Sequence, residues 1–145
     1  MDTTTAQLHE ALAQLPLEGD VYTDEKHRIL YATDASAYRE LPVAVTRPRS
    51  AEDIKQIIAF ANKQGTSVIP RAAGTSLAGQ VVGPGIVMDT THHWDKIIEI
   101  NYEQRWARVE PGVNRDHLNN ILQAHGLFFA PETSTSNRCK LGGML

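Results

Sequence analysis

Apolar residues recur at helical spacing in three long stretches of the chain. The first runs from Thr3 to Leu15, where threonines can cap the start and the apolar positions are Ala6, Leu8, Ala11, Leu12 and Leu15. The second lies between an N-cap candidate and a terminal glycine, Ser50 and Gly65, with one face formed by Ile54, Ile57, Ile58 and Ala61. The third follows Asn114 and closes at Gly126, with inward positions at Leu118, Ile121 and Leu122. Each stretch predicts a helix, and residues 24–32 predict a shorter one with Ile29 and Leu30 turned inward.

Short apolar runs predict strands at residues 43–46, 66–69, 86–89, 97–100 and 106–109. The first two flank the second helix, which predicts a βαβ unit with parallel strands and a right-handed crossover. The last three are closely spaced, and the turn at residues 101–103 suits a hairpin, so this half is predicted to be antiparallel. The expected fold class is α+β, with N-terminal helices, a small parallel βαβ subdomain and the start of an antiparallel α+β subdomain.

A loop rich in small residues, Pro-Arg-Ala-Ala-Gly-Thr-Ser-Leu-Ala-Gly at 70–79, follows the strand at 66–69. Glycine permits positive φ and alanine adds little bulk, so backbone N–H groups and two hydroxyls are left open to phosphate oxygens. The alternative is a sharp exit from the strand with no ligand. In an open parallel sheet, however, ligands bind beyond the carboxyl ends of the strands, and that position favours a binding loop.

Charge and composition exclude several other classes of function. Acidic residues outnumber basic ones by 17 to 14, and the net charge of −3 offers no field for nucleic acid. No apolar run could span a bilayer and no signal peptide is evident, so a cytoplasmic protein is expected, with membrane association only through partners. The single cysteine, Cys139, is expected to be structural, and the adjacent His92 and His93 are expected in a surface turn rather than at a metal.

Four segments stand in a fixed order: Val-Thr-Arg-Pro-Arg-Ser-Ala-Glu-Asp-Ile at 45–54, Pro-Arg-Ala-Ala-Gly-Thr-Ser-Leu-Ala-Gly-Gln at 70–80, Arg-Val-Glu-Pro-Gly-Val at 108–113, and Pro-Glu-Thr-Ser-Thr-Ser-Asn-Arg-Cys at 131–139 followed by Leu-Gly-Gly-Met. Together they resemble the PCMH-type flavin-binding domain of the vanillyl-alcohol oxidase superfamily. The resemblance is strongest to FAD-linked D-lactate dehydrogenases, glycolate oxidase flavin subunits and D-2-hydroxyglutarate dehydrogenases. It covers roughly residues 40–145 and implies a truncated domain whose two α/β halves hold FAD between them.

The resemblance also implies which residues bind the cofactor. The backbone of residues 71–76 would receive the FAD pyrophosphate, with the Ser76 hydroxyl assisting, while residues 131–134 would pass near the flavin ring and residues 142–144 would approach it closely. The implied cofactor-binding residues are Pro70, Arg71, Ala72, Ala73, Gly74, Thr75, Ser76, Gly79, Gln80, Pro131, Glu132, Thr133, Ser134, Gly142, Gly143 and Met144. No catalytic residue and no metal ligand is implied in this part of the protein.

Two details of the loop are specific to this sequence. Ala72 stands where the resembling sequences commonly have glycine, so we expect a negative φ at this residue. No histidine lies between Pro70 and Gln80, so FAD is expected to bind noncovalently. Arg71 is expected to add positive charge, the alternative being a solvated or salt-bridged surface arginine.

The resemblance implies the FAD-binding part of an oxidoreductase that converts a D-2-hydroxy acid, of the lactate, glycolate or 2-hydroxyglutarate type, to a 2-oxo acid. Alternatives are a noncatalytic flavin-binding or interaction module and another chemistry of the superfamily, such as sugar or alcohol oxidation. The expected partners are FAD, a small substrate held mainly by a C-terminal domain that the chain lacks, and an electron-acceptor protein. The expected parts of the chain are a helical segment at 1–40, a first FAD subdomain at 41–85 and an incomplete second one at 86–145, inactive alone.

Overall fold

The computed structural model describes residues 4–144, so Thr3 and Leu145 of the predictions above lie outside the described residues. Its helices are α1 (Thr5–Ala13), α2 (Glu25–Leu30), α3 (Ala51–Gln64) and α4 (Arg115–Gln123), with a 3₁₀ turn at Leu141–Gly143. Its strands are β1 (Asp20–Tyr22), β2 (Ala44–Arg47), β3 (Val68–Arg71), β4 (Ile86–Asp89), β5 (Ile97–Asn101) and β6 (Trp106–Val109). The expected α+β class is confirmed. Within residues 4–144, no helix is long and apolar enough to cross a membrane.

The larger sheet has four strands in the order β1-β2-β4-β3. Strands β2 and β3 both run parallel to β4, which confirms the predicted parallel arrangement, whereas β1 pairs with β2 antiparallel and was not predicted. The assignment of residues 86–89 to the antiparallel half was wrong, because β4 lies between β2 and β3 at the centre of this sheet. All four residues of β4 are buried, as is typical of a central parallel strand covered on both faces.

Helices α1 and α3 cover the parallel sheet. The predicted caps are present: Thr4 forms a capping box at α1, the Ser50 hydroxyl accepts from the Asp53 N–H, and Gly65 ends α3 at a φ of 66°. The inward face of α3 differs from the prediction, because Ile58 is 51% exposed and Phe60 is buried in its place. The core of this half combines side chains from both helices and the sheet, namely Leu8, Leu12, Ala44, Ile57, Phe60, Ala61, Ile86 and Met88.

Asp53 is a buried carboxylate that joins α3 to the N-terminal segment. Its two oxygens accept hydrogen bonds from the backbone N–H groups of Glu18, Gly19 and Arg49 at 2.8–2.9 Å. Burial raises the pKa of Asp53, but these backbone donors lower it by more, so its pKa lies below the ordinary value. The carboxylate therefore stays ionised and fixes the approach of residues 18–19 to the helix.

The short helix α2 corrects a second prediction. Residues 24–32 were expected to form a helix with Ile29 and Leu30 inward, but α2 ends at Leu30 and these side chains are 44% and 63% exposed. The neighbouring Arg28 is directed towards the protein instead, and its Nε donates to the Pro42 carbonyl at 2.7 Å.

The second half contains the predicted hairpin. Strands β5 and β6 pair antiparallel, and α4 begins at the predicted cap, where Asn114 Oδ1 accepts from the His117 N–H. A separate core forms here from Val113, Leu118, Leu122 and Leu141. The loop from α4 to the 3₁₀ turn brings the chain back to the parallel sheet, where Lys140 and Gly143 lie beside the end of β3.

Candidate functional site

The carboxyl ends of the three parallel strands open into one cavity of about 620 Å³. Arg47 ends β2, Arg71 ends β3 and Asp89 ends β4. The whole lining consists of Leu30, Tyr31, Arg47, Arg71, Ala72, Ala73, Asp89, Thr91, His92 and Lys140. Three cationic side chains, Arg47, Arg71 and Lys140, thus accompany one carboxylate in this lining, which favours an anionic ligand.

The small-residue loop forms one wall of this cavity. Its first two predicted residues, Pro70 and Arg71, belong to β3 instead, where Pro70 is tolerated because β3 is an edge strand. Gly74 and Gly79 take positive φ values of 67° and 76°, and the expected negative φ at Ala72 is confirmed. In the described part of the chain, the amides of residues 72–76 donate to no protein acceptor. These free donors suit the oxygens of a diphosphate.

The side chain of Arg71 folds over this loop. Its guanidinium donates to the Tyr31 carbonyl at 3.2 Å and to the Thr33 carbonyl at 2.8 Å, and it lies 5.3 Å from the centre of the Tyr31 ring. A Cβ added to Gly74 would lie 2.5 Å from the Arg71 Nη2 atom. Arg71 is therefore held in place by carbonyls and is not the solvated surface residue considered as the alternative.

The remaining loop residues close the turn. The Gln80 N–H donates to the Ser76 hydroxyl at 3.4 Å, and Thr75 is half-buried. At Gly79, an added Cβ would lie 2.7 Å from the ring of Tyr38, so that ring packs directly on the glycine. Residues 76–80 thus form a compact turn whose end is covered by an aromatic ring.

A cluster of polar side chains at the floor of the cavity was missed by sequence reasoning. Tyr31 donates its hydroxyl to Asp89 Oδ2 at 2.5 Å and accepts from Arg47 Nη2 at 3.0 Å. Thr91 donates both its N–H and its hydroxyl to Asp89 Oδ1, and His92 Nδ1 lies 3.3 Å from Oδ2. Burial raises the pKa of Asp89, but the hydrogen bonds from Thr91 and Tyr31 lower it by more. The charged residue at the end of an otherwise apolar strand was the available signal.

The predicted glycine pair lies beside the loop. A Cβ added to Gly143 would lie 3.4 Å from Ala72 Cβ, so the two segments predicted to bind FAD are in contact. Lys140, just before the 3₁₀ turn, reaches the cavity lining. The Met144 side chain instead packs against the second core, with its sulfur 3.9 Å from Cys139 Sγ, and buried Cys139 fits the expected structural role.

Residues 131–134 are not brought to this cavity. The Pro131 carbonyl accepts from Arg115 Nε at 2.7 Å, and Glu132 is 83% exposed, with a carboxylate oxygen 3.9 Å from Arg115 Nη2. The Thr133 hydroxyl oxygen is buried and has no hydrogen-bond partner within residues 4–144. None of these four residues lines the cavity. They form a separate, largely exposed segment in which the Thr133 hydroxyl is unsatisfied.

No cluster of three or more potential metal ligands among His, Cys, Asp and Glu occurs in residues 4–144. His92 faces Asp89, as described, whereas His93 Nε2 lies 3.6 Å from Asp20 Oδ2 on the opposite side. The imidazoles of the two histidines therefore face different carboxylates.

Comparison with known proteins decides the family. The model of a family described as "FAD binding domain" matches residues 42–145, which is most of the chain. The chain belongs to the FAD-binding domain family. The match begins just before β2, so Tyr31 and the rest of the N-terminal segment precede it.

Two groups of relatives are similar across most of the chain. A D-2-hydroxyglutarate dehydrogenase of Haemophilus influenzae is 46% identical over 131 residues, which cover 88% of this chain and 13% of that protein. The glycolate oxidase subunit GlcD of Escherichia coli is 33% identical over 126 residues, covering 85% of this chain and 25% of that protein. The chain thus spans between an eighth and a quarter of these relatives.

Solved structures confirm the fold. An alkyldihydroxyacetonephosphate synthase superposes with a TM-score of 0.80 at 17% identity, covering 99% of this chain and 29% of the other. A 4-ethylphenol oxidase from Gulosibacter chungangensis superposes with a TM-score of 0.69 at 24% identity, covering 83% of this chain and 24% of the other. At these identities the likeness concerns the fold alone.

Proposed function

We propose that the chain is the FAD-binding part of a flavin-dependent oxidoreductase that oxidises a D-2-hydroxy acid to a 2-oxo acid. The observation that carries this proposal is the 46% identity to a D-2-hydroxyglutarate dehydrogenase across 88% of the chain. FAD, when bound, would supply the chemistry by accepting a hydride from the hydroxyl-bearing carbon of the substrate. The contribution of this chain is to hold and orient the cofactor.

The residues of the cavity fit the diphosphate of FAD. The free amides of residues 72–76 and the hydroxyl of Ser76 would face its oxygens, while Arg47, Arg71 and Lys140 would offset its charge. Pro70, Gly79 and Gln80 would hold the two ends of the loop. Residues 142–144 would bring backbone close to the flavin, and residues 131–134 would form an outer wall with the unsatisfied Thr133 hydroxyl.

We propose no catalytic residue in this chain. The substrate-binding groups and an electron-acceptor site would lie in other parts of the longer protein, because the chain spans only 13% of the relative that carries the proposal. The division into three parts is kept as a proposal, with the first FAD subdomain extended through β4, which pairs with β2 and β3.

Noncovalent binding predicts that acid releases the flavin. The proposal has a chemical basis, since no histidine lies between Pro70 and Gln80 to form a bond to the cofactor. We expect acid precipitation of the holoenzyme to leave the yellow absorbance in the supernatant. A precipitate that retains its flavin after washing would contradict noncovalent binding.

The proposed substrate class predicts that a D-2-hydroxy acid, or the achiral glycolate, reduces the bound flavin. Under anaerobic conditions, we expect D-2-hydroxyglutarate, D-lactate or glycolate to bleach the flavin absorbance of the full-length protein. L-2-hydroxyglutarate is the matched control and should leave the spectrum unchanged. If dithionite bleaches the flavin and no hydroxy acid does, the proposed substrate class is wrong.

A further inference from the structure

One residue, Tyr31, contacts both arginines of the cavity. Its hydroxyl accepts hydrogen bonds from Arg47 Nη2 at 3.0 Å and Nε at 3.3 Å, and its backbone carbonyl accepts from Arg71 Nη1 at 3.2 Å. Its ring lies below both guanidinium groups, at 6.0 Å from that of Arg47 and 5.3 Å from that of Arg71. Tyr31 therefore helps to hold both cationic groups, Arg47 together with the Tyr22 hydroxyl and Arg71 together with the Thr33 carbonyl.

The hydroxyl of Tyr31 also connects Arg47 to the buried Asp89. Only 4% of Asp89 is exposed, and its Oδ2 atom accepts the Tyr31 proton while lying 3.7 Å from Arg47 Nε. Burial and the hydrogen bond to Asp89 raise the pKa of Tyr31, so the phenol stays protonated and keeps donating. Arg47 thus donates to a neutral hydroxyl whose own proton is held by Asp89, and its guanidinium also lies within ion-pair distance of that carboxylate.

The same N-terminal segment touches both ends of the small-residue loop. At the start of the loop, the Tyr31 and Thr33 carbonyls hold Arg71, and at its end the Tyr38 ring packs on Gly79. Residues 31–41 are themselves folded back, since Thr33 pairs with Arg39 and the Glu40 N–H donates to the Ala32 carbonyl. This segment is therefore built to support the loop, although it precedes the stretch that matches the family.

We propose that Tyr31 is a positioning residue for the cofactor's diphosphate, directing Arg47 through its hydroxyl and Arg71 through its carbonyl so that both charges face the cavity. The inference rests on the proposed function, because the diphosphate is that of FAD. Tyr31 would touch no phosphate oxygen itself. It would act through the two guanidinium groups.

The substitution Tyr31→Phe tests the inference, because it removes the hydroxyl and keeps the ring. We expect the dissociation constant of FAD for the full-length apoprotein to rise about tenfold, the effect of losing one hydrogen bond that involves a charged group. Tyr102→Phe is the matched control, since Tyr102 stacks on His125 outside the cavity, and should change it less than twofold. Quenching of flavin fluorescence on titration measures both constants.

A double-mutant cycle separates positioning from a general loss of structure. If Tyr31 acts through Arg47, adding Tyr31→Phe to the Arg47→Gln variant should weaken FAD binding by less than a further twofold. Competition by ADP and by adenosine gives a second readout. Tyr31→Phe should weaken the binding of ADP, which carries the diphosphate, and leave the binding of adenosine unchanged.

Results that contradict the role of Tyr31 can be distinguished from a result that contradicts FAD binding itself. A dissociation constant for Tyr31→Phe within twofold of the wild type would overturn the inference, as would a full tenfold effect in the Arg47→Gln background or equal weakening of ADP and adenosine. In each of these cases wild-type protein still binds FAD and the proposed function stands. If the wild-type apoprotein binds no FAD at all, the proposed function fails and this inference falls with it.

Discussion

Replacing Gly74 by alanine is expected to weaken FAD binding by on the order of a hundredfold, through strain at a positive φ and loss of a charged contact. The φ of Gly74 is 67°, and an alanine Cβ would lie 2.5 Å from Arg71 Nη2 and 2.9 Å from its Cζ. The guanidinium could make room only by leaving the carbonyls of Tyr31 and Thr33. The substitution would therefore change the conformation of the loop and also displace the Arg71 guanidinium from the cavity.

Gly65→Ala is the matched control for this effect. Gly65 has nearly the same φ, 66°, but nothing lies within 4 Å of an added Cβ. Both variants should lose about 1 kcal/mol of folding stability through backbone strain, and only Gly74→Ala should lose FAD affinity. Thermal melting of the apoproteins and FAD titration measure the two quantities. Equal FAD affinities for the two variants would show that the loop does not bind the cofactor.

Local signals predicted the elements of the fold well, and pairing between distant segments less well. Ser50 and Gly65 mark the ends of α3 because a cap acts within one turn of its own position. The partners of β4 are set by the order β1-β2-β4-β3, which depends on contacts across the whole first half. The close spacing of residues 86–109 concealed that order, because the central strand is followed directly by the hairpin.

In the candidate site, too, local features were predictable from the sequence and contacts between distant residues were not. Glycines and small residues made the loop visible, since positive φ at Gly74 and Gly79 is a local property. The Tyr31–Asp89 hydrogen bond spans 58 positions, and the charge of Asp89 at the end of an apolar strand does not indicate its partner. Such a cluster becomes apparent only when the strand order brings the carboxyl ends of β2 and β4 together. Arg71 was visible from the sequence, but the direction of its side chain was not.

Substitution by alanine is expected to have different effects on stability at Gly142 and at Gly143. A Cβ on Gly142 would overlap Pro111 Cβ and lie 2.9 Å from Pro111 Cα. Pro111 is a rigid neighbour, and its carbonyl accepts a hydrogen bond from the Gly142 N–H at 2.9 Å. Overpacking of this kind costs about 1–3 kcal/mol, so Gly142→Ala should lower the thermal midpoint of the apoprotein clearly. Because this 3₁₀ turn directly follows Lys140, which lines the cavity, and places Gly143 beside Ala72, FAD affinity should fall as well.

Gly143→Ala should leave the fold intact, because its Cβ would meet only Ala72 Cβ at an ordinary 3.4 Å. The thermal midpoint of this apoprotein should equal that of the wild type. The added methyl group would nevertheless stand between the loop and the glycine pair, where we propose that backbone approaches the flavin, so the FAD dissociation constant should rise about tenfold or more. An unchanged constant would place the flavin away from Gly143, whereas a lowered melting temperature would mean that the contact with Ala72 is tighter than the structure shows.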